Sequence, residues 1–393
     1  MKWSTVTEPL LISILLVNAD PAVGQSVPDK CETAAHPVTE TGSLTQVGTS
    51  FYSDGGLVRI SSPGSRYLRA RVELTKNADC GWYLTIRDGK YRAIQTLTSE
   101  DFTSSPSRWT ARIPGPASLL DLTGCGRDTG PRLLLQEYIA MPDSAEHPYY
   151  SAQNPSDPKF KDLYEQIPRL RPYGDSVGFL MSSWTRESWT CSGVMVASDM
   201  FLTNWHCGAP RSDFPVEGYW NDEIVRDTII DLSWDGDDVS REYTGSRLLA
   251  SDPDLDFALI EVTPINWSGK ARPVTINRNP VSLNQSILVI QHPAARTKQV
   301  SLDCTVVDDN VKSWRTGAER VDFGHKCDTE AGSSGAPVLD TDGRLIALHH
   351  RGFDVDPKTC NQTDRINKAV RIDKILEFLD THNPDVLKRL SIQ

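Results

Sequence analysis

The chain has 393 residues, with 41 lysines and arginines against 52 aspartates and glutamates, which gives a net charge of −11. At roughly 150 residues per domain, this length allows two or three domains. The composition, 38% hydrophobic with 26 glycines and 25 prolines, excludes collagen, coiled coil and wholesale disorder. No long basic block occurs, so nucleic acid and anionic membrane surfaces are not expected as partners, because both require concentrated positive charge.

The N-terminal segment has the pattern of a secretion signal. Residues 10–17 are almost wholly apolar but fall short of the ~20 residues of a spanning helix. Lys2 supplies a positive end, and Ala22-Val23-Gly24 is a small-residue cleavage site. We therefore predict a signal peptide over residues 1–24, a secreted or periplasmic location, and no membrane association once the signal is removed.

The cysteines acquire meaning from this location. Export places all eight in an oxidising compartment, where four disulfides can form. Their wide spacing, with no C-x-x-C, does not match a zinc site. We expect no metal and no cofactor.

Residues 27–140 consist of short runs in which apolar and polar residues alternate. Leu68, Ala70 and Val72, for example, alternate with charged residues, which is typical of a half-buried strand. The sequence predicts a small β-sandwich-like accessory domain here. Cys80 and Cys125 are its internal cysteine pair, although their connectivity stays open at this level.

Two further regions follow the accessory domain. Prolines recur through residues 141–173 and predict a linker, because proline denies the chain both helix and ladder hydrogen bonds. Residues 174–393 are rich in β runs separated by Gly, Pro and Asp turns. Near the end, the spacing of Ile372, Ile375, Leu376 and Leu379 predicts a helix with one buried face.

Two segments of this last region carry candidate catalytic side chains. An apolar strand ends at His206-Cys207, and a disulfide from Cys207 to Cys191 would limit the movement of the imidazole. Asp256 stands at the start of another apolar strand, where a buried carboxylate needs a partner such as an imidazole. Taken singly, His206 fits a structural or surface role better than a catalytic one, and Asp256 fits a solvated turn acid that caps the strand. Asp254 is an alternative acid.

A third segment, Gly332-Ser333-Ser334-Gly335, surrounds a serine with small residues just before a strand. The two glycines permit a tight turn that exposes the Ser334 hydroxyl. The same turn aims the N–H groups of Gly332 and Ser334 at one point, as in an oxyanion hole. The alternative is an ordinary Gly/Ser-rich loop.

Together, these segments resemble the chymotrypsin-like serine proteases, with a closer likeness to bacterial glutamyl endopeptidases. His206, Asp256 and Ser334 follow the family's chain order and approximate spacing, and the resemblance covers about residues 170–380. It implies an all-β fold with two six-stranded antiparallel β-barrels of chymotrypsin type and a C-terminal helix. It also implies that Ser334 is the nucleophile, His206 the general base and Asp256 the residue that orients the imidazole.

The resemblance also bears on the disulfides. Cys191 and Cys207 match the family's disulfide beside the catalytic histidine, and a Cys304–Cys327 bond would brace the strands that lead to the serine loop. Cys31 and Cys360 are then left over. If these two pair, the accessory domain is tied covalently to the second barrel.

Specificity rests on three positions. Thr329 and His349 match the residues that recognise a substrate carboxylate in glutamyl endopeptidases, which favours Glu or Asp on the acyl side. Asp328 stands where trypsin-like enzymes keep the acid that attracts Lys or Arg, so a basic preference is the alternative.

The sequence departs from the family's pattern in two features, one at Ser333 and the other at His350 and Arg351. Ser333 replaces the aspartate that pairs with a new N-terminal amine, so that activation route is not expected. His350 and Arg351 are bulky residues beside the pocket wall. Three alternatives are open for these two residues: they narrow the site, they add positive charge for an acidic substrate, or they face solvent.

The sequence thus predicts a secreted, monomeric serine endopeptidase that acts on proteins or peptides. A catalytically silent binding protein or adhesin on the same fold, and a serine esterase, are the alternatives. For the accessory domain, three roles stay open: an inhibitory or chaperoning prosegment, a substrate-targeting module, and a passive structural domain.

Overall fold

The computed structural model of the chain describes most residues between 43 and 390. The described ranges are 15–18, 43–53, 55, 57–103, 105–126, 128–142, 160–184, 187–208, 220–235, 241–265, 271–313, 317, 320–353 and 364–390. They fall into two compact units, divided between Asp143 and Ser144. Within these ranges, no helix is long and apolar enough to cross a membrane.

The first unit is built from short and medium strands. They are β1 Leu15–Asn18, β2 Ser43–Tyr52, β3 Val58–Ser61, β4 Ser65–Lys76, β5 Trp82–Asp88, β6 Ala93–Thr98, β7 Ser107–Trp109, β8 Ile113–Pro114, β9 Ala117–Gly124 and β10 Arg132–Pro142. A 3₁₀ turn, Ser99–Phe102, follows β6.

Two sheets form a sandwich in this unit, as the sequence predicts. One has the strand order β1-β3-β9-β5-β6, and the other has the order β2-β10-β4-β7 with β8 on β4. Leu68 and Val72 of β4 share a core with Leu84 and Ile86 of the facing sheet. Edge strand β1 lies within the segment predicted as a signal peptide and pairs with β3 in parallel.

The second unit contains the remaining elements. They are β11 Phe160–Asp162, α1 Leu163–Gln166, α2 Arg171–Gly174, β12 Val177–Trp184, β13 Glu187–Ala197, β14 Met200–Thr203, α3 Asp222–Asp227, β15 Ile229–Asp231, β16 Glu242–Asp252, β17 Phe257–Pro264, β18 Ser286–Gln291, β19 Gln299–Val311, β20 Asp322–His325, β21 Pro337–Asp340, β22 Leu345–Arg351, β23 Asn367–Arg371, α4 Ile372–His382 and α5 Pro384–Leu387.

These strands close into two antiparallel β-barrels of six strands each. The first barrel has the order β12-β13-β14-β17-β16-β15. The second has the order β19-β18-β21-β22-β23-β20 and is closed by the pairing of β19 with β20. The predicted double-barrel fold is therefore confirmed.

Helix α4 is also confirmed, and its predicted apolar face is the buried one. Ile372, Ile375, Leu376 and Leu379 are all buried. They share one core with Leu202 of the first barrel and Leu348 of the second. The helix therefore packs where the two barrels meet.

Residues 160–174, most of which the sequence analysis placed in the linker, are ordered against the second barrel. Strand β11 pairs with β19, and Leu163 is fully buried in the shared core. The ring of Tyr173 lies against Gly343 in the β21–β22 turn. Proline spacing does not encode this docking, because its partners come from strands more than a hundred residues away.

Three disulfides join described cysteines: Cys80–Cys125, Cys191–Cys207 and Cys304–Cys327. These are the same pairs that the sequence analysis considered. Cys31 and Cys360 lie outside the described residues.

Candidate active site

His206 lies on a 3₁₀ turn, Trp205–Gly208, that directly follows β14. The Cys191–Cys207 disulfide joins this turn to β13, and the indole N–H of Trp189 donates to the Cys207 carbonyl at 2.7 Å. The His206 side chain is almost fully buried. Both contacts are made by Cys207, so they fix the backbone directly after the imidazole.

Asp256 closes the turn between β16 and β17 and contacts His206 through both carboxylate oxygens. Its Oδ2 lies 2.7 Å from His206 Nδ1, and its Oδ1 accepts the His206 backbone N–H at 3.0 Å. The Asn204 side-chain amide donates to the Asp256 carbonyl at 2.8 Å. Asp254, the alternative acid, is exposed on the same turn.

Asp256 has a backbone conformation that is unfavourable for a residue other than glycine, and its charged side chain is buried. Its φ of 49° lies in the left-handed region, and the side chain is fully buried. Burial favours the neutral acid, but His206 and His350 outweigh it and hold the pKa of Asp256 below its ordinary value. The carboxylate is therefore charged whenever the protein is folded near neutral pH.

Ser334 lies on a tight loop that is anchored to the first barrel. Ser192 of β13 donates its backbone N–H to the Ser334 carbonyl at 2.7 Å and its hydroxyl to the Gly332 carbonyl at 2.9 Å. Gly332 and Gly335 have φ values of 90° and 82°, so both positions require the freedom of glycine. Ser334 is thus fixed by contacts that cross from the second barrel to the first.

The serine loop lies directly against the histidine turn. Cys207 Sγ is 3.9 Å from the Ser334 carbonyl oxygen. Ser333, the residue that departs from the family's pattern, accepts the Glu330 N–H through its hydroxyl at 3.0 Å and so closes the loop internally. The three candidate catalytic residues are therefore carried by neighbouring turns.

The donor atoms of Cys191, His206 and Cys207 lie within 4.8 Å of one another. The two sulfurs are joined in a disulfide. Neither cysteine can supply the thiolate that binds a metal ion, so this cluster does not fit a metal site.

His349, a candidate specificity residue on β22, is linked to a second histidine that the sequence analysis missed. His349 Nδ1 lies 3.2 Å from His325 Nε2, and the Cys327 N–H donates to His325 Nδ1 at 3.2 Å. Burial lowers the pKa of His325 to about 3 and that of His349 well below its usual value, and neighbouring histidines add to both shifts.

These contacts fix the tautomers of both neutral rings. Because His325 Nδ1 accepts the Cys327 N–H, the His325 proton sits on Nε2 and is donated to His349 Nδ1. The proton of His349 must then sit on its own Nε2. His349 therefore presents a fixed N–H donor.

The other two candidate specificity residues differ in their surroundings. Thr329 is fully buried, and its hydroxyl has no hydrogen-bond partner among the residues that the structure describes. Asp328 is also buried, and its carbonyl accepts from Gln291 at 2.8 Å and from Ser301 at 2.6 Å. The backbone beside both residues is therefore fixed.

His350 does not face solvent, which removes one alternative for this residue. Its side chain is 1% exposed and lies between the carboxylates of Asp256 and Asp322. Asp322 was not among the sequence candidates, because an acid at the start of a short strand carries no local pattern that predicts a histidine partner.

Part of the second unit matches a known protein family. Residues 191–348 match the family described as trypsin-like peptidase domain. The match lies within the second unit and covers less than half of the chain, and the two barrels of that unit form the chymotrypsin-like fold.

Similar proteins differ from this chain in length and sequence. Over 180 residues the chain is 28% identical to secreted RxLR effector protein 73 of Plasmopara viticola, and the match covers 42% of each protein. The chain thus spans well under half the length of that curated relative.

Among solved structures, the Rv3671c protease from M. tuberculosis in its active form is 14% identical, with a TM-score of 0.40, and the match covers 61% of this chain and 92% of that one. For the inactive form the values are 16%, 0.39, 57% and 96%.

Proposed function

We propose that this protein is a secreted serine endopeptidase whose catalytic triad is Ser334, His206 and Asp256. The observation that carries the proposal is the double contact of Asp256 with His206, through the ring nitrogen at 2.7 Å and the backbone N–H at 3.0 Å. Such a carboxylate holds the imidazole in the tautomer whose Nε2 is basic. The tight turn at Ser334, beside the histidine turn, supplies the hydroxyl.

The reaction follows from these roles. Ser334 Oγ attacks the scissile carbonyl while His206 Nε2 takes its proton, and Asp256 stabilises the imidazolium that forms. The N–H groups of Gly332 and Ser334 hold the oxyanion. His206 then gives the proton to the departing amine, and a water molecule activated in the same way hydrolyses the acyl-enzyme.

The proposed substrate is a protein or peptide with Glu, or Asp, on the acyl side of the cut. The buried hydroxyl of Thr329 and the fixed Nε2–H of His349 are two donors suited to a carboxylate. A site that lacks this substrate leaves the Thr329 hydroxyl buried without a partner, which penalises other side chains. Asp328 supports the alternative, a preference for Lys or Arg.

An extracytoplasmic location is part of the proposal. Three disulfides in the described residues support this location, because disulfides form and persist mainly in oxidising compartments. The curated relative carries the word secreted in its name. The apolar segment at residues 10–17 is the central part of the proposed signal peptide, residues 1–24.

The test is digestion of an unstructured protein by the full chain, with the product termini read by mass spectrometry. The wild type should cut after Glu or Asp, and Ser334→Ala should lower the rate by roughly 10³-fold or more. Thr329→Val keeps the shape of the side chain but removes its hydroxyl. It should keep the Ser334-dependent activity and lose about tenfold or more of the preference for Glu.

Each alternative predicts a different result. Equal cutting by wild type and Ser334→Ala would reject the proposed triad. Cuts after Lys or Arg would assign specificity to Asp328 instead. Hydrolysis of simple esters without any peptide cleavage would favour the esterase, and a folded wild type inert toward both would favour the binding protein.

A further inference from the structure

His350 lies between two buried carboxylates that come from different barrels. Its Nδ1 is 3.5 Å from Asp256 Oδ2, and its Nε2 is 3.2 Å from Asp322 Oδ2. Asp256 belongs to the first barrel, whereas His350 on β22 and Asp322 on β20 belong to the second. All three side chains are at most 1% exposed.

A charged imidazole is what this environment requires. A buried carboxylate is costly unless it is paired with a cation or with hydrogen-bond donors. Burial lowers the pKa of His350, but Asp322 and Asp256 outweigh it and raise this pKa to about 9. Each ring nitrogen then carries a proton and faces one carboxylate.

Two further histidines near His350 do not compete for this role. His325 on β20 and His349 on β22 are buried, and the charge on His350 helps to lower their pKa values. Both stay neutral near pH 7. Among His325, His349 and His350, it is therefore His350 that is protonated near pH 7.

We propose that His350 and Asp322 are positioning residues that hold the Asp256 carboxylate in register with His206 across the boundary between the barrels. The series Asp322, His350, Asp256, His206 links the second barrel to the catalytic imidazole through three contacts. The Asp256 Oδ2 atom faces both imidazoles, so His350 limits the rotation of the carboxylate. This inference rests on the proposed function of the triad.

Two substitutions of His350 separate its two contacts. The amide nitrogen of asparagine reaches the position of Nδ1 and keeps a donor toward Asp256, whereas that of glutamine reaches the position of Nε2 and keeps the donor toward Asp322. His350→Gln should lower kcat roughly 10- to 100-fold with KM changed less than twofold, because the orientation of Asp256 is lost. His350→Asn should lose less.

The pH dependence of activity would not change if His350 had a merely structural role, so it tests the positioning role directly. The kcat/KM of the wild type should fall as the pH rises through about 9, where His350 loses its proton. Asp322→Asn removes the charge that contributes most to raising this pKa, so its alkaline limb should move to lower pH. In His350→Asn this limb should be absent.

Ser334→Ala, assayed alongside, keeps the two proposals apart. If it cuts as well as the wild type, the proposed triad is wrong. If it is inactive while His350→Gln keeps the kcat and alkaline limb of the wild type, the positioning role is overturned. If His350→Gln does not fold, the isosteric Asp322→Asn decides: an unmoved alkaline limb rejects the inference.

Discussion

Glu330 is a carboxyl group buried at the start of the loop that carries Ser334. Its Oε2 lies 2.8 Å from Arg296 Nη1, and the side chain is 1% exposed. Burial raises the pKa of Glu330 to about 7, although Arg296 acts in the opposite direction. This residue therefore changes its charge near neutral pH, inside the loop that forms the proposed oxyanion hole.

The stability of the second unit should depend on the protonation of Glu330. The folded chain holds this proton up to about pH 7, whereas the unfolded chain releases it near 4.5. The stability that the proton contributes is thus complete below 4.5 and is lost as the pH rises through 7. Glu330→Gln cannot lose a proton, so its Tm should fall less than that of the wild type between pH 5 and pH 8.

The size of this effect follows from the pKa difference. A shift from 4.5 to about 7 corresponds to on the order of 3 kcal/mol. For a domain of this size it should appear as several degrees in Tm. Parallel Tm curves for the two proteins, recorded by calorimetry across that pH range, would show that Glu330 does not titrate in the native loop.

At the scale of elements, helix α4 and the segment after it join the two barrels. Leu379 packs into the core that both barrels share. Phe378 meets Phe257 edge to face, with ring centroids 5.4 Å apart. Arg389, beyond the helix, pairs with Asp199 at 2.7 Å. The helix thus joins the two barrels that carry the candidate triad.

Leu379→Ala should destabilise the second unit by about 2–5 kcal/mol, because it removes a fully buried side chain and leaves a cavity. Urea denaturation measures the change as a lower midpoint. Asp380→Ala, on the exposed face of the same helix, is the matched control and should stay within about 0.5 kcal/mol of the wild type. Equal urea midpoints for the two variants would mean that the packing of the helix does not stabilise the barrels.

The elements that sequence reasoning identifies are those with a local pattern. The spacing of Ile372, Ile375 and Leu379 determines a helix face within two turns, and alternation in β4 determines a strand. The contacts that sequence reasoning missed are non-local. Nothing near His350 indicates that Asp322 will face it, because that contact exists only after the second barrel closes.

At the scale of the whole molecule, residues 160–174 belong physically to the second unit. Lys298 is fully buried, and its ammonium donates to the Gly174 carbonyl and to the Leu232 carbonyl, each at 2.8 Å. Burial lowers the pKa of Lys298 to about 8. This lysine therefore joins the incoming segment, the first barrel and the second barrel at one point.

The effect of removing this segment can be tested with two shortened chains, one beginning at residue 158 and the other at residue 175. The first keeps β11, Leu163 and the Gly174 carbonyl, so it should fold and show Ser334-dependent activity. The second exposes the core around Leu163 and leaves Lys298 with one acceptor fewer. Loss of the buried leucine alone costs about 2–5 kcal/mol, so its Tm should be lower by roughly 10 °C or more. Calorimetry compares the Tm values of the two chains. Assays of each chain beside its own Ser334→Ala form show whether cleavage depends on Ser334. Equal Tm values would show that the segment only tethers the first unit.

If the chain from 158 cuts faster than the full chain on every substrate, the first unit is inhibitory, and if it is slower only on large substrates, the first unit targets them.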